Sequence, residues 1–122
     1  MNQNNAPESV VQRQLEAFNA RDVDALMATY AADIAMYEHT AKLLASGATQ
    51  VRERQAVRFA EPNLHAQLLG RMVMGNIVID HELVTRTFPE GTGRIEMIAT
   101  YQVNDGRIAK AWFLYGAKTL DK

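Results

Sequence analysis

Apolar residues recur at helical spacing in the first half of the chain and at strand spacing in the second. Val11, Leu15 and Phe18 stand at i, i+4 and i+7, Val10 widens the stripe, and Pro7 suits the first turn of the helix they define. Gln14 lies four residues from both Val10 and Phe18, so one polar side chain points where the apolar face points. The turn Asn19-Ala20-Arg21-Asp22 ends this helix. Asp22 is a natural N-cap for a second helix over about residues 23–30, with Val23, Leu26, Met27 and Tyr30 on its buried face. A third helix is expected over about residues 48–60, with Thr49 as a cap and Pro62 preventing its continuation. Its apolar line is Val51 and Phe59, and the residue midway between them is Gln55. Two helices therefore each carry a glutamine on the stripe that should be buried. Either the two amides bond to backbone, or they share a polar contact inside the domain.

Between the second and third helices, Ile34 to Glu38 reads as a short strand followed by a loop through Gly47. Alternation puts Glu38 on the face of Ile34 and Met36. If that face is the core face, a carboxylate ends an apolar row, and a buried carboxylate must be paired, protonated or functional. If the strand stops earlier, Glu38 faces water. The second half is strand: about Leu64 to Met74 and Ile77 to Phe88 joined at Gly75-Asn76, a longer connection from Pro89 to Gly93, then about Arg94 to Val103 and Arg107 to Gly116 around Asn104-Asp105-Gly106. Ile95, Met97, Ala99, Tyr101 and Val103 share one face. The last strand is apolar on both: Ala109, Ala111, Phe113 and Tyr115 on one side, Ile108, Trp112 and Leu114 on the other. Helices followed by an antiparallel meander make an α+β fold, a cone in which the N-terminal helices pack on a strongly curved antiparallel sheet. The chain divides into a short tail, residues 1–6, and one domain, residues 7–122. The face bearing Trp112 and Leu114 then needs another cover, and a second copy of the chain is the economical one, with Arg71 and Glu82 expected to flank it.

Composition mainly excludes. With 122 residues the chain makes one domain, and a net charge of −1 gives no reason to expect nucleic acid or an anionic membrane as partner. Arg52, Arg54 and Arg58 cluster, but on a helix that also carries Glu53, which reads as a solvated or partner-facing side. Arg71 and Arg86 read as surface or interface charges. The absence of cysteine removes disulfides, thiolate catalysis and zinc–thiolate sites, and the polar N-terminus is no signal peptide. No stretch reaches the roughly 20 apolar residues of a membrane span. A soluble cytoplasmic protein is the default expectation. There is no phosphate-binding glycine loop, nucleophile elbow or HExxH motif, and His39, His65 and His81 are scattered. No metal or cofactor is expected.

The order helix, Asn-Ala-Arg-Asp turn, helix, Tyr30-Ala31-Ala32-Asp33, short strand, helix, long strands resembles the nuclear transport factor 2-like superfamily, particularly its SnoaL-like polyketide cyclases and ketosteroid isomerases. The resemblance is best from Val10 through Glu38, from Gly47 to Glu53, and in Tyr101 to Ile108 with Trp112 and Gly116. It implies a single cone-shaped domain with a small-molecule cavity between helices and sheet. It places the family's carboxylate base on Glu38, its oxyanion-binding tyrosine on Gln14, a supporting tyrosine on Gln55 and the protonated aspartate on Ala99. A base is thus retained while the strong oxyanion donors are lost, which speaks against ketosteroid isomerase activity itself. The cavity it implies is lined by Gln14, Gln55, Met97, Ala99, Tyr101, Phe113 and Tyr115 together with Glu38, and suits a small hydrophobic molecule. Two functions follow: an isomerase- or cyclase-type enzyme acting on a hydrophobic carbonyl compound through a carboxylate base, or a non-catalytic dimeric ligand-binding module.

Overall fold

A computed structural model describes residues 5–121, so the first four residues of the expected tail and the last residue of the expected domain lie outside it. Helix α1 (Pro7–Ala20) runs to an αL residue, Arg21, where Arg21 N–H bonds to Phe18 O and Asp22 N–H to Ala17 O. That pair of bonds closes the helix in a Schellman turn. The Asx side chain of Asp22 then caps α2 (Val23–Met27) by accepting from Ala25 N–H at 3.1 Å. This second helix is shorter than its apolar spacing suggested. Thr29 turns its hydroxyl back onto Leu26 O, and Tyr30 already begins a strand.

Strand β1 (Tyr30–Glu38) forms a hairpin with β2 (Lys42–Ser46), which occupies what the sequence pattern presented as loop. Helix α3 (Ala48–Phe59) starts without the expected Thr49 cap: Gly47 is the N-cap, and Gln50 reaches back to accept from Ser46 N–H. The long strands β3 (His65–Met74), β4 (Ile77–Phe88), β5 (Gly91–Asn104) and β6 (Arg107–Leu120) follow. Residues 91–93, expected in a connection, pair with β4, so Pro89-Glu90 makes a tight turn. The two predicted hairpins turn as expected. Gly75 alone is left-handed in the first, whereas Asp105 and Gly106 are both left-handed in the second, the conformations of type II′ and I′ turns.

The six strands form one sheet in the order β2-β1-β6-β5-β4-β3, antiparallel except where β1 runs parallel to β6. Register shifts mark bulges in β6 near Ala109 and again near Gly116, and in β3 at Leu69. Each adds a residue on one strand, bends it and tightens its twist, which curls the sheet around its helical face. The bulge near Ala109 also reverses side-chain parity. Ile108, assigned to the outer face by simple alternation, is therefore fully buried in the core beside Ala111 and Val103.

Helix α1 is held over the concave face by one side chain in particular. Asn19 Nδ2 donates to Ala66 O at 2.9 Å, and Asn19 Oδ1 accepts from Ala66 N–H at 2.8 Å. The amide thus takes the place of a neighbouring strand for one residue of β3, and Arg21 adds a bond to Pro62 O at 2.7 Å. Asn19→Ala leaves two backbone groups of buried Ala66 without partners, so it should lower stability by about 1–3 kcal/mol. Urea unfolding monitored by far-UV circular dichroism checks this, and Asn19→Asp should recover only part of the loss, since a carboxylate accepts but cannot donate.

Candidate functional site

Between α1, α3 and the concave sheet face lies a cavity. It spans about 620 Å3 counted out through its open mouth. Its walls are apolar: Leu15, Phe18, Ala66, Val84, Ile95, Met97, Phe113. Helix α1 presents Gln14 and α3 presents Gln55, both buried, so the two glutamines on apolar stripes do share one space. Tyr101, Met97, Phe113 and Tyr115 line it as well, each delivered by the inner-face parity of β5 or β6. Ala99 is on the same face but fully buried behind the lining. Glu38 lies half-buried at the end of β1, opposite Phe113 in the strand register, and outside the residues that line the cavity.

The carboxylates inside the sheet come instead from β4. Its inner row is Val78, Asp80, Glu82 and Val84, all buried. Asp80 is met by Arg71, its partner across the β3–β4 register, through Nε at 2.7 Å and Nη2 at 2.9 Å, and Arg71 Nη1 also donates to Gln12. Arg71 and Glu82 are therefore interior groups rather than the flank of an outer interface. Glu82 lines the cavity, is 3% exposed, and has no hydrogen-bond partner among the described residues. Burial, reinforced by the charge of Asp80 and only partly offset by Arg71, pushes its carboxyl up to about 8. Alternation alone favours the opposite row of β4, where Ile77, Ile79 and Leu83 are more apolar than the row of Val78, Asp80, Glu82 and Val84, so the sequence pattern concealed these two carboxylates.

Tyr30 is the second residue that helical periodicity concealed. Carried into the cavity by the first position of β1, its phenol is 3% exposed. Burial raises its pKa, side-chain hydrogen bonds from Gln14 and Gln55 act against the rise, and Glu82 adds to it. The two amides thus stand next to the phenol oxygen inside the cavity. The Gln14 Oε1 atom, on the other end of one amide, is buried without a partner. Tyr101 is likewise held protonated by burial, with Glu82 and Tyr30 adding to the effect.

At the mouth stand Arg54, Arg58 and Arg86. The clustered arginines of α3 therefore divide: Arg52 faces out and pairs with Asp24, while Arg54 and Arg58 turn to the cavity. Arg86 is bound by Glu61 through two contacts, at 2.7 and 3.2 Å, so it is no free surface charge. Burial works to raise the Glu61 pKa, but hydrogen bonds from Arg86 and Thr87 N–H, with the charges of Arg86 and Arg58, hold it below the ordinary range. His81 is on the outer face, paired with Glu96. No cluster of metal-ligating side chains occurs among the described residues, and no helix there is long and apolar enough to cross a membrane.

With this geometry in view, the relatives are informative. The model of the SnoaL-like domain matches residues 11–111, and the chain belongs to that family. Similar solved structures include an uncharacterised cystatin-fold protein from Novosphingobium aromaticivorans, with 22% identity, TM-score 0.82, and coverage of 88% of this chain and 97% of that one. A candidate SnoaL-like polyketide cyclase from Shewanella denitrificans shares 13% identity at TM-score 0.80, covering 90% of each chain. A hypothetical protein from Catenulispora acidiphila with a ketosteroid isomerase-like fold, in complex with trimethylamine, shares 17% at TM-score 0.74, covering 85% of this chain and 82% of that one. At these identities the likeness is one of fold. No curated protein matches the chain.

The raised Glu82 pKa has a consequence for stability. Below the ordinary carboxylate value both folded and unfolded chains hold the proton, and the group is neutral with respect to folding. As pH rises toward about 8 the unfolded chain ionises while the folded one does not, so stability falls by about 1.4 kcal/mol per pH unit at most. Glu82→Gln should therefore melt higher than the parent at pH 8, with the gap closing by pH 5, as checked by thermal unfolding across that range.

Proposed function

We propose that this protein is an isomerase- or cyclase-type enzyme that moves a proton next to the carbonyl of a small, largely hydrophobic substrate, with Glu82 as the base. What carries the reading is the placement of Glu82: a carboxyl with no hydrogen-bond partner among the described residues, desolvated among apolar walls, in the same cavity as the Tyr30 phenol. In the ionised form Glu82 accepts a proton from the carbon beside the carbonyl. Electron density moves to the carbonyl oxygen, and the Tyr30 hydroxyl donates to it there, with the Gln14 and Gln55 amides fixing the phenol in place. Return of the proton from Glu82 to another carbon gives isomerisation; attack of the enolate carbon on a second carbonyl of the same molecule opens that C=O π bond to an alkoxide, which takes the proton back from Glu82 and completes ring closure. Neither metal nor cofactor enters these steps. Glu38, which the family resemblance puts in the base position, has the competing claim, and the two carboxylates make different predictions.

Deuterium incorporation separates them. In buffered D2O, the protein should speed exchange of the α-hydrogens of hydrophobic cyclic ketones such as 2-tetralone, followed by proton NMR. The rate should rise with pH through about 8 as Glu82 ionises. Glu82→Gln should lower it by about 100-fold or more, the scale of general-base catalysis. Tyr30→Phe should reduce it about tenfold or more through loss of one hydrogen bond to the enolate. Glu38→Gln should leave it near the parent rate; a loss confined to Glu38→Gln would return the base to the end of β1.

We also propose that the working form is a homodimer joined through the convex sheet face. Ile98 and Leu114 are 38% and 45% exposed there, and Trp112 stacks on Tyr37 beside them. Light scattering at micromolar concentration should give twice the chain mass, and Leu114→Glu should give the monomer.

A further inference from the structure

The cavity mouth carries more positive charge than the protein answers. Arg54, Arg58 and Arg86 all line it, and Glu61 is the one carboxylate bonded to any of them among the described residues. Glu61 is committed to Arg86 by both oxygens. It stands 3.5 Å from Arg58 Nε, and neither terminal nitrogen of Arg58 has a hydrogen-bond partner among the described residues. Arg54 has no ion pair at all among the described residues. Yet the Arg58 side chain is only 23% exposed. A guanidinium that is mostly out of water, beside two others, is a costly arrangement unless an anion joins it. The spacing is not accidental to the cavity: residues 54, 55 and 58 fall on one side of α3, so the helix face that offers Gln55 to Tyr30 also offers both guanidiniums to the entrance. Deeper in, the polar groups are neutral or titratable acids, and the walls are hydrocarbon.

We infer that the ligand of this cavity is a carboxylic acid in its anionic form, its carboxylate bound at the mouth by Arg54 and Arg58 and its apolar body lying inward against Phe18, Met97 and Phe113. This rests on the cavity being the small-molecule site proposed above. It narrows the substrate to a keto acid, with the carboxylate as a remote handle and the carbonyl carried toward Tyr30. A planar fork of N–H donors matches a carboxylate in two-point contact, and does so better than it matches a lone ketone or hydroxyl. An amine of the same shape would be repelled.

Matched probes test it: 3-phenylpropanoate and cyclohexanecarboxylate against their methyl esters and the corresponding primary amines, with binding followed by isothermal titration and by protein NMR shifts at pH 7. Each acid should bind at least about tenfold more tightly than its ester, the scale of one charge-assisted hydrogen bond, and the amines should bind weakest. Raising salt should narrow the gap between acid and ester. Arg54→Gln and Arg58→Gln should each narrow it further without weakening the ester, whereas Arg52→Gln, on the outward side of the same helix, should leave it unchanged. The comparison of acid with ester on the parent protein needs no variant, so a misfolded Arg58→Gln does not rescue the idea. Equal binding of acid and ester, a gap indifferent to both arginine substitutions, or no binding of any acid overturns it. Esters that bind as well as acids, together with ketone exchange that depends on Glu82, would retain the proton-transfer reading and discard the anion. Acid-selective binding with no Glu82-dependent exchange would do the reverse.

Discussion

Two carboxylates two residues apart on the concave face of one strand, with a single guanidinium to answer them, set the terms for the rest of the molecule. Asp80 holds Arg71 in a bidentate pair that spans the β3–β4 register. The pair is buried enough that its charges largely satisfy one another, and Gln12 ties the same arginine to α1. Glu82 is then left with the residual field of its neighbour and no donor of its own. In such a place a carboxyl stays protonated unless something makes ionisation worthwhile. The structure thus separates the roles of two chemically identical groups by giving the only local cation to one of them. The first becomes part of the frame, and the second stays available for chemistry.

Whether that availability has any use depends on space, and space comes from the sheet. A flat sheet packed by helices would fill its inner face with side chains. Here the extra residues in β3 and β6 curl the sheet, so that parts of the apolar rows of β4, β5 and β6 line a hollow while the rest pack on α1, α2 and α3. Asn19 then acts as a stay, fixing the end of α1 to β3 through paired backbone bonds and keeping the helix from collapsing into the gap. Curvature and that stay are separate devices with one result: Gln14 and Gln55 meet at Tyr30 and not at each other's backbone.

The limits of the sequence pattern are instructive for the same reason. The three helices, the four long strands, the two hairpin turns and the inner row of β5 were legible, though β2 was not, because alternation and turn chemistry are local properties. So was the convergence of two glutamines that no solvated helix face would need. What alternation could not report was parity across a bulge, which moved Ile108 from the outer face to the core. It also could not say where a helix yields to a strand within Ala28-Thr29-Tyr30, since Tyr30 fits the buried stripe of a helix as well as the first inner position of β1. The carboxylate is the sharper lesson. Glu38 drew notice as one acid at the end of a short apolar row, whereas Asp80 and Glu82 stand in the middle of a longer strand, on its less apolar row, where the chain cannot fray to let them reach water. Position along a strand, as well as parity, determines how strongly burial acts on a charge.

The fields of the two ends of the cavity also bear on one another. With Glu82 protonated, the inner cavity contributes little charge, and the mouth is dominated by guanidiniums. Ionisation of Glu82 adds a negative charge inside a low-dielectric pocket, which favours cations at the entrance and disfavours an anionic ligand held between them. A ligand with its charge at the mouth therefore discourages ionisation of the base. That opposition gives a reason for the handle to sit at the rim rather than deep in the cavity. Distance and the partial screening at an open mouth weaken the repulsion, while the apolar body between the two charges still fixes the carbonyl where the phenol can reach it. A carboxylate seated beside Glu82 itself would meet two acids and a guanidinium already paired with Asp80, an arrangement the distribution of charge along β3, β4 and α3 does not support.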